Sequence, residues 1–324
     1  MTEIVVRAPA RLHFGMLDPA GLDGRRFGGF GVGVESPRVV VHLESPDSVA
    51  AGDVLALGPQ AERAERFARH AASTFGFGRG LQVRVEEAIP PHAGLGSGTK
   101  LGIAVARGVA ALAGLDPSPE ALARASGRGA RSSVGLWTFA ETGLVVEAGV
   151  RDQDPLSPVV TRHPMPCDWR CVLALAEGLE GLSGVKEERF FDALGATRRV
   201  QPNVARRLLT GLLPGLMAGD IEEFGAALTA IQREVGQTFA PQQGGIFHPS
   251  AAPLVDALLA LDVKAVGQSS WGPSVYGIVD GPDLASRVAR ELAAGAPAGT
   301  RVNVVDFDRH GGTVERRLHE RCRV

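Results

Sequence analysis

The chain of 324 residues lacks a surplus of charge: 34 lysines and arginines face 36 acids, for a net charge of −2. No global basic field exists to hold nucleic acid, and aromatic residues, at 5%, are too few to supply base-stacking platforms. No apolar run approaches the ~18 residues of a membrane span. The opening stretch, Met1 to Ala8, has an acid-containing strand pattern rather than that of a signal peptide. Cysteines are scarce and odd in number; Cys167, Cys171 and Cys322 form no metal-ligand spacing and read as reduced thiols, which makes the cytoplasm the expected location. Internal repeats and low-complexity segments are absent. Lysine occurs only at Lys100, Lys186 and Lys264, so arginine carries the positive charge. That suits planar recognition of phosphate or carboxylate, although GC-rich coding gives the same bias and accounts for most of the arginines. With 44% apolar and 22% charged residues, the chain has the makings of a packed globule long enough for two domains.

One stretch stands out, Ile89-Pro90-Pro91-His92-Ala93-Gly94-Leu95-Gly96-Ser97-Gly98-Thr99-Lys100. It follows a strand-like alternation, Leu81 to Glu86, and precedes an Ala-rich helical run, Leu101 to Leu115. Gly94, Gly96 and Gly98 let the backbone turn and approach a ligand closely. The helix that follows aims its unpaired N–H groups and positive dipole end at that ligand. Strand, glycine turn and helix start together make an anion site, usually for phosphate.

Ile4 to Val6 opens a strand, and Arg38 to Leu43 reads as another. Between them, Gly28 to Val34 is a second glycine-rich turn into a strand. Ala61 to Phe75 is helical, and Pro119 starts a helix capped by Ser118. Gly143 to Glu147 is a strand that closes the first half. Four prolines in Pro155 to Pro166 mark a boundary, giving domains 1–160 and 161–324. In the second half, a strand at Arg170 to Ala176 precedes an amphipathic stretch, Lys186 to Leu194. Val204 to Val235 reads as two helices broken at Leu213-Pro214-Gly215. Further on come a helix at Ser250 to Leu261, a third glycine/serine loop at Gly267 to Ser274, a strand at Val275 to Asp280, a helix at Pro282 to Ala293 and a last strand at Arg301 to Phe307. The helix–strand alternation fits an α+β arrangement.

Pro9-Ala10-Arg11 with His13 and Gly15, then Pro90-x-x-x-Gly94-Leu95-Gly96-Ser97-Gly98, then the Gly267–Ser274 loop, stand in an order that resembles the GHMP kinase superfamily. Leu182-Ser183-Gly184 before an acidic helix also looks like that superfamily's second domain. The resemblance implies an N-terminal domain like ribosomal protein S5 domain 2 and a ferredoxin-like C-terminal domain. Within the superfamily the chain is similar to the β-ribofuranosylaminobenzene 5′-phosphate synthases. The likeness rests on Arg11 to Asp18, Gly28 to Val32, Gly94 to Thr99, Gly127-Arg128-Gly129-x-Arg131-Ser132 and Gln243-Gly244-Gly245-x-Phe247. That family joins a 4-aminobenzoate or 4-hydroxybenzoate ring to phosphoribosyl pyrophosphate (PRPP), releases pyrophosphate and CO2, and feeds the synthesis of methanopterin-type carriers. The resemblance further implies Mg²⁺ as cofactor and a homodimer.

A kinase of this fold typically sets a Glu on magnesium and an Asp near the acceptor hydroxyl, after the phosphate loop. Here Ala121 to Ala140 holds no Asp or Glu but has Arg124, Arg128 and Arg131; the expected Asp falls at or near Gly135, and the second motif serine is Gly98. Phosphoryl transfer would lose its usual proton acceptor and part of its metal shell. Condensation with loss of CO2 needs instead a cradle for a very anionic ligand and an oriented aromatic acid. An ATP-binding small-molecule kinase with relocated acids, and a non-catalytic anion-binding regulator, stay open as alternatives.

The candidate anion-binding residues are Gly94, Leu95, Gly96, Ser97, Gly98, Thr99 and Lys100, with Arg26, Arg128, Ser132 and Ser133 around them. Lys100 has the alternative of pointing away along its helix, the serines of capping one, and each arginine of lying on the surface. The candidate catalytic residues are Arg11, His13, Arg131 and Trp271. Trp271 either covers the aromatic substrate or fills the core. Asp18 is either a magnesium or ribose ligand or a turn residue before Pro19. Finally, Asp306 to Thr313 resembles a PRPP loop, against a surface turn as the alternative.

Overall fold

A long hairpin organises the first of two sheets. The computed structural model describes residues 2–22, 24–129, 131–176 and 203–318. Strands β1 (Thr2–Asp18) and β2 (Phe27–Glu44) run antiparallel, with Val6 opposite Val41, Leu12 opposite Val32 and His13 opposite Gly31. The far half of β2 pairs with β4 (Leu81–Glu87), which takes β3 (Val54–Leu57) in parallel on its other side. The near half, Gly29 to Val32, pairs with β5 (Leu144–Glu147), and β5 pairs with β6 (Val159–His163). Helices α1 (Ala61–Phe75), α2 (Ser97–Leu112), α3 (Pro119–Ser126) and α4 (Val134–Ala140) cover this layer. The first buries Ala64, Ala68 and Ala71 at helical spacing, and α2 is buried along most of its length.

The second layer contains β7 (Trp169–Ala176), α5 (Val204–Arg207), a π-helical turn (Leu208–Leu212), α6 (Leu213–Ala218), α7 (Ile221–Gln243), α8 (Ala252–Ala260), β8 (Ala265–Gln268), β9 (Val275–Asp280), α9 (Pro282–Gly295) and β10 (Thr300–Val305). Its sheet is antiparallel in the order β10-β7-β9-β8, the ferredoxin-like arrangement expected. One face packs through α7 onto β1. Phe14 meets the Tyr276 ring at 5.1 Å, and Gln232 donates to the Phe14 carbonyl. The other face holds a smaller core with Leu254, Leu258, Val288 and Leu292.

Three expectations are corrected. The boundary at 160/161 falls inside β6, a strand of the first sheet. The chain also returns to that sheet, because β11 (Thr313–Leu318) pairs along β1. An uncovered β1 would be an open edge, so the last strand of the sequence serves the first domain. Nor do Pro214 and Gly215 break a helix. Pro214 sits where the π-helical turn runs without interruption into α6, and the break comes at Gly219 in the left-handed region, with Asp220 capping α7 through Glu222 and Glu223 N–H. Helix α7 then continues to Gln243, eight residues beyond the expected end at Val235. The stretches Leu182 to Gly184 and Lys186 to Leu194, and Cys322, lie outside the described residues.

The contact of α7 with β8 is tight enough to reverse the usual preference for alanine in helices. A methyl on Gly225 would lie 2.7 Å from Lys264 Cβ and 2.8 Å from the Ala265 backbone nitrogen. Gly225→Ala should therefore lose about 1–3 kcal/mol in urea unfolding. Gly295→Ala at the end of α9, with nothing within 4 Å, should be neutral or gain up to about 1 kcal/mol. Equal stability of the two variants would contradict the packing described.

Candidate active site

The stretch between β4 and α2 turns through left-handed backbone at His92 (φ 57°), Gly94 (φ 80°) and Gly96 (φ 79°). Gly96 occupies the N-cap of α2 and has no side chain to satisfy the first-turn N–H groups, which suits them to an anion. The loop is clamped from two sides. Arg11 on β1 donates through Nη1 to the Gly94 carbonyl and through its backbone N–H to the Leu95 carbonyl at 3.2 Å. From the Gly267–Ser274 loop, Ser269 Oγ donates to the Gly94 carbonyl at 2.7 Å, and Ser274 Oγ donates to that of Ala93. Ser269 Oγ also accepts from the His13 backbone N–H at 3.1 Å. The three sequence motifs thus meet at one place.

Cations gather at the start of α2. A methyl on Gly96 would lie 3.1 Å from Arg11 Cγ. One on Gly98 would run into the Arg63 guanidinium and lie 3.6 Å from Arg128 Nη2. Arg63 comes from α1, steadied by a 2.7 Å bond from Nη1 to Gln60 Oε1; burial and neighbouring Arg66 hold its pKa below the usual arginine range. Arg128 lies over the Phe67 ring at 5.2 Å. Ser97 is buried and Thr99 half-buried in this first turn.

The remaining expected residues are placed differently. Lys100 turns away from the loop into the core, where Nζ donates to Thr138 Oγ1 at 2.9 Å; burial pushes its pKa down to about 7. Asp18 is the turn residue: its carboxylate accepts from the N–H groups of Ala20 (3.0 Å), Gly21 (2.8 Å) and Leu22 (2.7 Å). Arg26 sits at the hairpin end, with Nε on the Pro19 carbonyl and its guanidinium over the Phe27 ring. Arg131 is half-buried just before Ser132. Ser133 is internal, donating to the Gly129 carbonyl and accepting from Ser157 N–H. The Asp306–Thr313 stretch is a turn. Asp306 pairs with Arg170 at 2.9 Å, while buried Asp308 accepts from the His310 and Gly311 N–H groups before β11 begins.

Gly135, where a kinase acid was sought, packs on the loop: a methyl there would lie 2.9 Å from Thr99 Cγ2. A carboxylate does stand nearby, from a strand. Glu147, fully buried at the end of β5, accepts from Ser132 Oγ at 2.9 Å and from Ser133 N–H at 2.8 Å, at the start of α4. Burial raises its pKa to about 7. His13 Nε2 lies 3.1 Å from Ser132 Oγ, and burial together with Arg11 lowers the His13 pKa to about 3.

His13 also borders a cavity between β1, α7 and the third loop. Its walls include Met16, Phe239, Phe247 and Trp271. Trp271 is 5% exposed and packs on Phe239 with ring centroids 4.4 Å apart, so it belongs to the core and lines the cavity at once. The expected segment Gln243 to Phe247 closes one side.

Sequence reasoning missed Arg63 and Glu147. Arg63 is one arginine in a helix that also carries Arg66 and Arg69, and no spacing marks it. Glu147 ends an apolar run, and only its lack of a solvated neighbourhood, Leu144-Val145-Val146 before and Ala148 after, hinted at burial.

The chain matches the model of the GHMP kinases N terminal domain over residues 62–136 and that of the GHMP kinases C terminal domain over residues 212–298. It is 29% identical over 298 residues to the beta-ribofuranosylphenol 5′-phosphate synthase of Methanothermobacter thermautotrophicus, covering 86% of this chain and 89% of that protein. It is 31% identical over 290 residues to the enzyme of the same name from Archaeoglobus fulgidus, with 85% and 87% covered. The Streptococcus pneumoniae phosphomevalonate kinase shares the fold, with a TM-score of 0.71 at 12% identity over 95% of this chain and 100% of that one.

Arg63 offers the clearest test of the cationic clamp. Titration calorimetry with inorganic pyrophosphate should show about ten- to hundredfold weaker binding for Arg63→Ala, the worth of a charge-assisted hydrogen-bond pair. Arg63→Lys should recover only part, since a point charge cannot replace the planar fork. Unchanged affinity in Arg63→Ala would remove Arg63 from the site.

Proposed function

Because this chain belongs to the beta-ribofuranosylphenol 5′-phosphate synthase family of the GHMP fold, we propose that it condenses PRPP with an aromatic carboxylate, releasing pyrophosphate and CO2. The relatives' product, a ribofuranosylphenol, favours 4-hydroxybenzoate over 4-aminobenzoate as the acid. The observation that carries this reading is the pairing of an arginine-ringed glycine loop with an aromatic-lined cavity, joined at His13.

The loop N–H groups from Gly94 to Thr99, with Arg11, Arg63 and Arg128, hold the anionic end of PRPP and take up the charge that grows on departing pyrophosphate. Trp271, Phe239 and Phe247 orient the ring. The ring carbon bearing the carboxylate attacks C1′, the C1′–oxygen bond to pyrophosphate breaks, and loss of CO2 restores aromaticity. Arg131, half-buried beside Ser132, is kept as a further anion contact. Among the described residues, no group of three or more His, Cys, Asp or Glu is set to hold a metal, and the side chains at the loop are cationic. They do not fit a resident Mg²⁺; Mg²⁺ would enter with the pyrophosphate group, as part of the substrate. Among the same residues no helix is long and apolar enough to cross a membrane, and a homodimer and a place in methanopterin synthesis are part of this proposal.

The kinase alternative is disfavoured by Gly135. An aspartate there would collide with Thr99, and Glu147, the acid bonded to the start of α4, spends its oxygens on Ser132 and Ser133. Incubation with PRPP, Mg²⁺ and carboxyl-labelled 4-hydroxybenzoate should yield labelled CO2 and pyrophosphate in equal amounts. ADP from ATP and an alcohol would instead mark a kinase, and PRPP binding without turnover a regulator.

A further inference from the structure

Between β1, β5 and the start of α4 runs a hydrogen-bonded line, buried at both ends, that the condensation as written does not use: His13, Ser132, Glu147. Ser132 gives its hydroxyl proton to Glu147 Oε1 at 2.9 Å. Its 3.1 Å contact with His13 therefore needs a proton on His13 Nε2. That leaves Nδ1 as the acceptor of the neutral imidazole. Among the described residues, no hydrogen bond reaches Nδ1; the other His13 bonds run through its backbone, to Ser269 and Ser270. His13 is 4% exposed and borders the aromatic cavity. The glutamine amides there are spoken for: Gln232 holds the Phe14 carbonyl and Gln268 N–H, Gln243 holds the carbonyls of Gly245 and Ile246, and Gln268 holds His248 N–H and the Ser270 carbonyl. The imidazole and the Ser270 hydroxyl, which also lines the cavity, are thus the side-chain nitrogen and oxygen acceptors left for the cavity's ligand.

We propose that His13, Ser132 and Glu147 form a proton relay that takes the 4-hydroxyl proton of the aromatic acid during carbon–carbon bond formation and returns it after CO2 leaves. This rests on the synthase reading. As the ring carbon bonds to C1′ and pyrophosphate departs with its electron pair, the hydroxyl proton passes to His13 Nδ1. The Nε2 proton moves to Ser132 Oγ, and the Ser132 proton moves to Glu147 Oε1. The ring becomes a neutral dienone bearing the carboxylate on a tetrahedral carbon. The bond to the carboxylate then breaks, its electron pair restores the aromatic ring, and the proton runs back to the phenolate oxygen. No proton is gained or lost overall.

Two features make the relay necessary rather than histidine alone. Burial and Arg11 keep His13 from holding a second proton near neutrality, its pKa standing at about 3. Glu147, raised by burial to about 7, accepts one readily. The groups facing this line are His13 from β1 with Arg11 behind it, Gly28 and Gly29 from β2, the Ser132 and Ser133 hydroxyls after Arg131, and Val159 across from Glu147 on β6. Ser132 and Glu147 act through His13 and are positioning residues. The relay needs Glu147 ionised at the start, so kcat should rise with pH through about 7.

The test is pyrophosphate release from PRPP and 4-hydroxybenzoate by wild type, Ser132→Ala and Glu147→Gln, over about pH 6 to 9. Circular dichroism and thermal melting establish that each variant is folded. Both variants should lose about a hundredfold or more in kcat, keep KM within about threefold, and lack the rise through pH 7. A capping role alone for Glu147 would leave Ser132→Ala with its turnover and pH profile intact. Folded Ser132→Ala that keeps wild-type kcat and its rise overturns the relay and leaves the synthase reading standing. Wild-type protein that releases no pyrophosphate with either acid overturns the synthase reading, and the relay with it.

Discussion

The meeting of two backbones at Gly94 and Gly272 sets up everything else at this site. No side chain fits on either residue, since a methyl on Gly272 would enter the Ala93–Gly94 peptide and one on Gly94 the Ser269 carbonyl. The approach lets Ser269 Oγ donate to the Gly94 carbonyl while accepting from His13 N–H. One hydroxyl therefore ties the glycine loop, the first strand and the third loop, segments separated by 175 and 256 residues along the chain. The Gly94 carbonyl also receives Arg11 Nη1, which brings a guanidinium to the loop from below. Long-range polar bonds of this kind cost chain entropy to form, so the apolar contacts of α7 on β1 must hold the two layers before these bonds add selectivity.

Electrostatics explain why a fold shared with kinases need not transfer a phosphoryl group. At the start of α2 the helix dipole, unpaired N–H groups and the guanidinium groups of Arg11, Arg63 and Arg128 all favour negative charge. A carboxylate aimed into the same spot would partly cancel that field. Glu147 is instead set two side chains behind the cavity, beyond His13 and Ser132, with its oxygens on Ser132 and Ser133. There it is screened from the loop by Ser132 and His13, and burial leaves it near a neutral-pH titration. Lys100 follows the same logic in reverse: its amine, drawn toward Asp308 and Thr138 inside the core, adds nothing to the loop.

How much was legible in the sequence depended on whether the signal was local. The turn at Gly94 and Gly96 stands as expected, because positive φ is written into the glycines themselves; Gly98 does not belong to it, since the helix begins at Ser97, ahead of the expected Leu101. Convergence with Arg11 and the third loop came from motif order in a known superfamily; no spacing within one segment carries it. Arg63 and Glu147 escaped notice because each reaches the site from an element whose own pattern looks ordinary, an amphipathic helix and a buried strand. Lys100 and Ser133 were over-read for the opposite reason: they neighbour the motif in sequence but turn inward in space. The return of β11 to the first sheet was hidden too, since strand partners three hundred residues apart leave no local trace.

The aromatic cavity shows how specificity can rest on what is already bonded. Gln232, Gln243 and Gln268 come from α7 and β8, yet their amides are occupied with main-chain groups of β1, the 245–248 turn and the third loop. Such a network fixes the walls and withdraws their polarity from the ligand, because a bonded amide gains little by exchanging partners. What remains is a small space between Met16, Phe239, Phe247 and Trp271, bordered by a neutral imidazole and the Ser270 hydroxyl. On the synthase reading proposed above, a flat ring with one polar substituent suits these walls better than a flexible polyol, which would leave hydroxyls unpaired against them. On that reading, walls that disfavour a small alcohol suit a substrate whose reactivity depends on the electrons of one hydroxyl or amino group.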